Sequence, residues 1–426
     1  MAEETLLSDD FLRQLINVGE VDILVGLPTH NNAQTIEPVL RAIQAGILKC
    51  FPRERAVIIN ADGGSHDGTP DLVTGASIDD VRNVLKIHTL RTLHAITTQY
   101  AHTPDPALAL RTILAAADLL RARACVVISP TSTTIDPDWL QRLARPVYND
   151  GFDLVSPLYR RQKFEGILMS NLLYPMTRAV YGYRIHEPFA SEFAVSGHLV
   201  SDFLNSEIWN EEWVRVGTEV SLTVMALTGK YRTCQSFLGT KAHVDRSSSD
   251  LVVAMRRTVG TLFASLDRNR PLWSTINDSK SVPLVGTPSE TEEPEPERID
   301  RKRLWEMFAT GVRELEPVFR TILSSTTLAE LQRIAALELT EFQYPAGSWA
   351  TTVYEFAASY HNAVISRDHI LQALVPLYRG RMLTFLLENR SSSGKDGDKM
   401  EENVEALCGE FERLKPHLLK LWADRR

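Results

Sequence analysis

The chain has 426 residues, a formal net charge of -8, and 44% hydrophobic against 23% charged residues. Such a length exceeds what one hydrophobic core usually supports, so two domains are expected, and the acidic balance argues against nucleic-acid binding, which needs a basic surface. No apolar run approaches the ~20 residues of a membrane span, and the four scattered cysteines lack CxxC spacing and read as reduced thiols of a cytoplasmic protein.

The start, MAEETLLSDD, is acidic and lacks the basic opening of a secretory leader. Strand-like runs follow at Ile23–Leu27, Val57–Asn60, Val84–Thr89, Cys125–Ser129 and Leu154–Pro157. Between them, apolar residues at helical spacing predict helices over Thr35–Ile47, from Thr69 onward, and over Leu108–Arg121. This alternation implies a mostly parallel sheet covered by helices. Ile167–Tyr181 reads as a helix interrupted by Pro175, Glu219–Leu227 as another helix, and Arg232–Leu238 as a late strand before a helix from about Ser249 to Leu266. Asn277–Glu297 is polar, acidic and Pro-containing, with no hydrophobic period, and reads as a linker or loop. Beyond it the pattern is helical: Leu304, Phe308, Val312, Leu315, Phe319 and Ile322 form one stripe, and Leu328, Leu331, Ile334 and Leu337 another. Trp349–Ile365, His369–Glu388 and Val404–Trp422 complete it. One-sided stripes of this kind are packing faces.

Two strand ends carry chemistry. The run ILVGLPTHNNAQTI (Ile23–Ile36) leaves its strand through Pro28-Thr29-His30-Asn31-Asn32, and AVIINADGGSHDGT (Ala56–Thr69) leaves through Asp62-Gly63-Gly64-Ser65. The two lie about one βαβ step apart, and open α/β sheets bind ligands at the carboxyl ends of such strands. The third end, after Cys125–Ser129, offers Ser129-Pro130-Thr131-Ser132-Thr133-Thr134, and Asp136-Pro137-Asp138 beyond it reads as a helix start with an Asp cap. Arg160, Arg161 and Lys163 cluster past a strand end, where they could hold a phosphate or acidic group or form a solvated turn. Glu192, in EPFASEF, suits a contact to substrate hydroxyls or a helix cap. His243 follows the last strand in FLGTKAHVD, close to Asp245.

The blocks VGLPTHNNAQTI, INADGGSHDGTPDLV, SPLYRRQKFEG, NLLYPMTRAVYG, EPFASEFAVS and QSFLGTKAHVD occur in the order seen in a group of bacterial GT-A glycosyltransferases. The chain resembles glucosyl-3-phosphoglycerate synthases and mannosylglycerate synthases, and VPLYRGRMLTFLLE fits their C-terminal helices. The resemblance implies an α/β GT-A domain with a mixed sheet at residues 21–270, after an N-terminal extension (1–20). An acidic linker (271–300) and an all-helical domain (301–426) would follow. It also implies a retaining hexose transfer from a nucleotide sugar to a small acidic acceptor such as glycerate or phosphoglycerate. Pro28, Asn31 and Asp62 would contact the nucleotide; Gly63, in the same turn, and Lys163, in the basic cluster, are taken from the residues themselves as further donor-binding candidates. Glu192 would match the acidic residue of the acceptor loop and Glu219 an acidic residue on the next helix, which makes these two the candidate catalytic residues, and His243 would match the family's metal-binding histidine. A homo-oligomer is compatible with this reading.

Three positions depart from the family pattern. The Asp-x-Asp that holds Mg²⁺ or Mn²⁺ is Ser129-Pro130-Thr131, the Gly-Lys-Gly turn is Pro104-Asp105-Pro106, and the acceptor-loop Gly-Gly is Ala190-Ser191. The alternative expectation is therefore a non-catalytic glycosyltransferase-like binding or scaffolding subunit.

Overall fold

The structure, a computed structural model, describes residues 7–78, 92–101, 103–161, 166–229, 231–241, 250–286, 299–389 and 396–423. Its strands are β1 (Ile23–Thr29), β2 (Ala56–Asp62), β3 (His94–Gln99), β4 (Ala124–Val127), β5 (Leu154–Arg161), β6 (Tyr183–Arg184), β7 (Phe193–Ser196), β8 (Thr233–Lys241), β9 (Lys280–Ser281) and β10 (Leu284–Val285). Eight of these form one sheet in the order β10-β8-β5-β7-β4-β1-β2-β3. β1 is parallel to both β2 and β4, β2 is parallel to β3, and β7 runs antiparallel to β4 and β5. The expected mixed sheet covered by helices, with helices after it, is the observed fold class.

Both faces of the sheet are buried, which is why the central strands read as continuous apolar runs. Leu24, Val57, Ile59, Cys125 and Val127 face one core with Leu110, Ile113 and Leu114. Ile23, Val25, Leu27, Ile58 and Val126 face the other with Ile43, Trp139 and Leu143. Helix Pro106–Leu119 lies so close over β1 that a Cβ at Gly26 would collide with the Ile113 side chain. The strand order reverses between β1 and β4: the chain steps from β1 outward to β2 and β3, then returns to β4 on the opposite side of β1. The crevice at such a reversal is where open α/β sheets hold ligands.

Three local differences from the sequence reading have physical causes. The strand expected at Val84–Thr89 lies outside the described residues; β3, at His94–Gln99, mixes Thr and Gln with apolar residues and shows no clear period. The Asn277–Glu297 stretch is not wholly a loop, because Leu284–Val285 adds to the sheet edge in parallel with Gln235–Ser236. The Pro175 interruption does not break the helix. A π-turn at Met169–Leu173 runs directly into helix Tyr174–Tyr181. Proline lacks the N–H that would bond four residues back, which frees the Asn171 carbonyl, and the Trp349 indole N–H donates to it at 2.7 Å.

The chain divides into two compact units: Met1–Arg160, Phe189–Val244 and Val282–Glu293 form one, and Arg161–Pro188, Asp245–Ser281 and Pro294–Arg426 the other. The first contains the large sheet. The second is mainly helical and includes Arg301–Glu314, Ser325–Ala335, Ala346–Asn362, Arg367–Glu388 and Asp396–Ala423. Its predicted stripes are buried at Leu304, Phe308, Val312, Phe319, Ile322, Leu328, Leu331 and Ile334. Leu315 and Leu337, at helix ends, are only half-buried. All four cysteines are free thiols, three of them buried, and among the described residues no helix is long and apolar enough to cross a membrane.

Candidate active site

The carboxyl ends of β1 and β2 lie side by side, with Pro28 opposite Ala61 and Thr29 opposite Asp62. The loops that leave them are fastened together by side-chain bonds to backbone. The Asn31 N–H donates to Ser65 Oγ at 2.8 Å and Asn31 Oδ1 accepts from the His66 N–H at 3.0 Å. The Asn32 N–H donates to Thr69 Oγ1 at 2.9 Å, and the Ala33 N–H to Asp67 Oδ2 at 2.8 Å. Asn31 takes φ +52° to do this, a left-handed conformation that asparagine tolerates better than most residues. Burial raises the Asp67 carboxyl, but hydrogen bonds from the Thr69 hydroxyl and the Ala33 and Thr69 N–H groups outweigh it and hold the group below its ordinary value.

Asp62 is 2% exposed and sits under this junction. Its Oδ2 accepts from the Gly64 N–H (3.0 Å) and the Ser65 N–H (2.8 Å), and its Oδ1 from the Ser65 hydroxyl (2.6 Å). The Thr29 hydroxyl lies 2.8 Å from the same Oδ1 and 2.7 Å from Asn60 Oδ1, so one proton serves two acceptors. The carboxylate thus shapes the turn from within, while Asn31 is exposed and Pro28 half-buried at the surface of the crevice. Gly63 is a close-approach position: a Cβ there would lie 2.8 Å from the Tyr100 hydroxyl and 3.1 Å from Pro104 Cα. The segment Pro104-Asp105-Pro106 therefore covers the β2 end. Asp105 also caps helix Pro106–Leu119 by accepting from the Ala107 and Leu108 N–H groups.

Past β4 the chain turns through hydroxyls, with Ser129 Oγ 3.0 Å from Thr131 Oγ1. The Asp136 carboxylate accepts from the Asp138 N–H at 2.7 Å, and Asp138 pairs with Lys49 at 2.7 Å, so both serve the start of helix Asp138–Tyr148. Ser132 points the other way and donates to Glu192 Oε1 at 2.5 Å. Glu192, just ahead of β7, is fully buried. Its Oε2 accepts from the Tyr159 hydroxyl of β5 at 2.6 Å and from Lys241 Nζ, the last residue of β8, at 2.5 Å. Lys241 is itself 3% exposed; it also donates to Ser191 Oγ at 3.2 Å and lies 4.9 Å from the centre of the Tyr159 ring. Burial alone would raise the Glu192 carboxyl, but the Lys241 charge and the three hydrogen bonds pull it down to about 2. The ends of β4, β5 and β8 and the start of β7 therefore meet on one ion pair.

Glu219 lies in the first turn of helix Thr218–Thr228, half-buried. The neighbouring Thr218 hydroxyl reaches the Ala107 carbonyl at 3.5 Å, which sets this turn beside the start of helix Pro106–Leu119. Arg160 is exposed at the end of β5. Lys163, His243 and Asp245 lie outside the described residues, as does the Arg161 side chain. Sequence reasoning singled out neither Lys241 nor Tyr159. The available signal was a single charged residue closing the otherwise uncharged strand β8, but nothing local shows that it is buried.

Mg²⁺ and Mn²⁺ take several hard oxygen ligands, carboxylates foremost. Of the described residues after β4, Ser129, Thr131 and Ser132 offer hydroxyls and Asp136 and Asp138 serve the next helix, while the Glu192 carboxylate already holds an ammonium and two hydroxyls. That donor set does not fit such a cation.

No family model matches the chain, and no curated protein matches its sequence. Among solved structures, the chain is similar to the glucosyl-3-phosphoglycerate synthase of Mycobacterium tuberculosis. One crystal structure of that protein, with Mn²⁺, UDP and glucosyl-3-phosphoglycerate, is 22% identical over 61% of this chain and 84% of the other, at a TM-score of 0.41. Another, with Mn²⁺, UDP-glucose and phosphoglyceric acid, is 20% identical over 61% and 83%, also at 0.41. A further mycobacterial protein is 21% identical over 59% and 77%, at 0.41.

Proposed function

We propose that the chain is a glycosyltransferase that moves a hexose from a nucleotide sugar to a small acidic acceptor, with retention of configuration, and that it does so without a divalent metal. The observation that carries this reading is the pair of interlocked loops at the ends of β1 and β2, beside the point where the strand order reverses. A flat nucleotide needs such a rigid, polar-edged crevice. The motif resemblance and the mixed sheet with antiparallel β7 support the same assignment.

In this proposal Pro28, Asn31 and Gly63 line the nucleotide, and Asp62 holds the turn that meets it. The leaving diphosphate carries its charge into a site whose described residues do not fit a metal, so protein cations must meet it; Arg160 and Lys163 are the cations we assign. His243 joins them as a hydrogen-bond donor, because without carboxylates at Ser129 and Thr131 it supplies at most one metal ligand. Glu219 is assigned to the acceptor hydroxyls. Glu192 acts as a positioning residue, since it is enclosed by its three partners.

A second reading, a non-catalytic scaffold, is favoured by the Tyr100 and Pro104 atoms packed over Gly63. A thermal-shift screen with UDP-, GDP- and ADP-sugars separates the two. Binding to the folded state at a hundredfold excess over Kd adds about 2.7 kcal/mol, so a rise of a few degrees is expected with one nucleotide class. The rise should be equal with Mn²⁺ and with EDTA. No shift with any donor would favour the scaffold, and a shift that needs Mn²⁺ would overturn the metal-free assignment.

A further inference from the structure

The mainly helical unit contains a cluster that the transfer reaction does not use. His186, in the loop after β6, meets Glu401 and Glu405 of helix Asp396–Ala423, and one ligand-capable atom from each lies within 4.8 Å of the other two. We infer that these residues form a divalent transition-metal site, separate from the sugar-nucleotide crevice, that fastens the last helix to the loop carrying His186.

The geometry has the features of a built site. Glu401 and Glu405 are one helical turn apart, so both side chains project from one face. His186 Nε2 lies 3.0 Å from Glu401 Oε1; two ligands on bonds of about 2.1 Å lie roughly this far apart around a cation. The third ligand is oriented from behind. The Tyr174 hydroxyl donates to Glu405 Oε1 at 3.2 Å and Arg178 to Glu405 Oε2 at 2.6 Å, so each oxygen keeps a further lone pair. The Tyr174 ring stacks on the His186 imidazole, with centres 4.9 Å apart. Outer partners of this kind orient metal ligands, and their loss weakens binding 10- to 100-fold.

Charge points the same way. Arg178 also pairs with Glu412 at 2.9 Å, so one guanidinium faces the carboxylates of Glu401, Glu405 and Glu412. One nitrogen and two carboxylate oxygens select Zn²⁺ or Mn²⁺ over Ca²⁺, which prefers an all-oxygen shell. Glu401 and Glu405 are 55% and 39% exposed, which leaves room for water to complete the coordination.

The test is calorimetric titration of the full, nucleotide-free chain with Zn²⁺ and separately with Mn²⁺. One ion per chain is expected, with affinity reduced at least tenfold by His186→Ala and by Glu401→Gln and unchanged by His243→Ala. Both test residues are partly exposed, and matching circular dichroism of the metal-free variants would confirm that they fold. Absence of binding by either metal would overturn the site. So would binding that survives His186→Ala, or that depends on His243 instead.

Discussion

Glu192→Gln is expected to lower the stability of the chain by about 3–5 kcal/mol, the usual result of removing one member of a buried ion pair. The cause is the group left behind: Lys241, 3% exposed, would remain charged with only neutral partners. Adding Lys241→Met should recover much of that loss, because replacing a whole buried pair by neutral groups is often close to neutral. Urea unfolding of the wild type, both single variants and the double variant measures this as a double-mutant cycle. The pH dependence gives an independent check. The Glu192 carboxyl is at about 2 in the folded chain against an ordinary 4.5, so the folded state binds fewer protons at this site. Its contribution is therefore complete above pH ~4.5 and is lost as the pH falls towards 2; a depression of this size is worth about 3 kcal/mol. The gap between wild type and the Glu192→Gln single variant should close over that range. If instead Glu192→Gln left stability intact and only abolished turnover, Glu192 would be a reacting carboxylate and the positioning role would be wrong.

Asp62→Ala is the second substitution with a large expected effect. It strands the Gly64 and Ser65 N–H groups and the Ser65 hydroxyl, each now donating to the carboxylate. At ~1–3 kcal/mol for each polar group left buried without a partner, a loss of about 2–4 kcal/mol is expected, since Ser65 is partly exposed and water can replace some of it. The chain should still fold. The larger consequence is functional: Ser65 Oγ is also the acceptor for Asn31 N–H, so loosening the turn releases the β1 loop as well. The rise in melting temperature induced by a nucleotide sugar should disappear. An unchanged ligand-induced shift in the variant would sink the role of this junction in donor binding.

What was legible in the sequence follows from range. β1, β2, β4 and β5 announce themselves as apolar runs because both faces of the sheet are covered, and Asp62 and Asp67 stand out because tight turns need their local hydrogen bonds. The helix start after Asp136 was legible for the same reason, but the cap position is Pro137, and the Asp136 carboxylate holds the turn ahead of it through the Asp138 N–H. Glu192 was visible as a carboxylate among small residues but not as half of an ion pair, since its partner lies 49 positions away. Burial is a property of the assembled sheet, and no local pattern reports that β8 ends beside β7. Strand β10 was hidden because two residues carry no period. Pro175 was legible as a break in the helical pattern, but the Trp349 indole that donates to the Asn171 carbonyl could not be foreseen.

Metal-independent glycosyl transfer is decided by a transfer assay. The chain is incubated with the nucleotide-glucose that raises its melting temperature, with glycerate or 3-phosphoglycerate as acceptor, in EDTA, and products are followed by NMR. The expected result is a glycosylated acid with the donor's anomeric configuration retained, formed at the same rate after Mn²⁺ is restored. No product with any acidic acceptor despite donor binding, or product only when Mn²⁺ is present, would contradict metal-independent transfer.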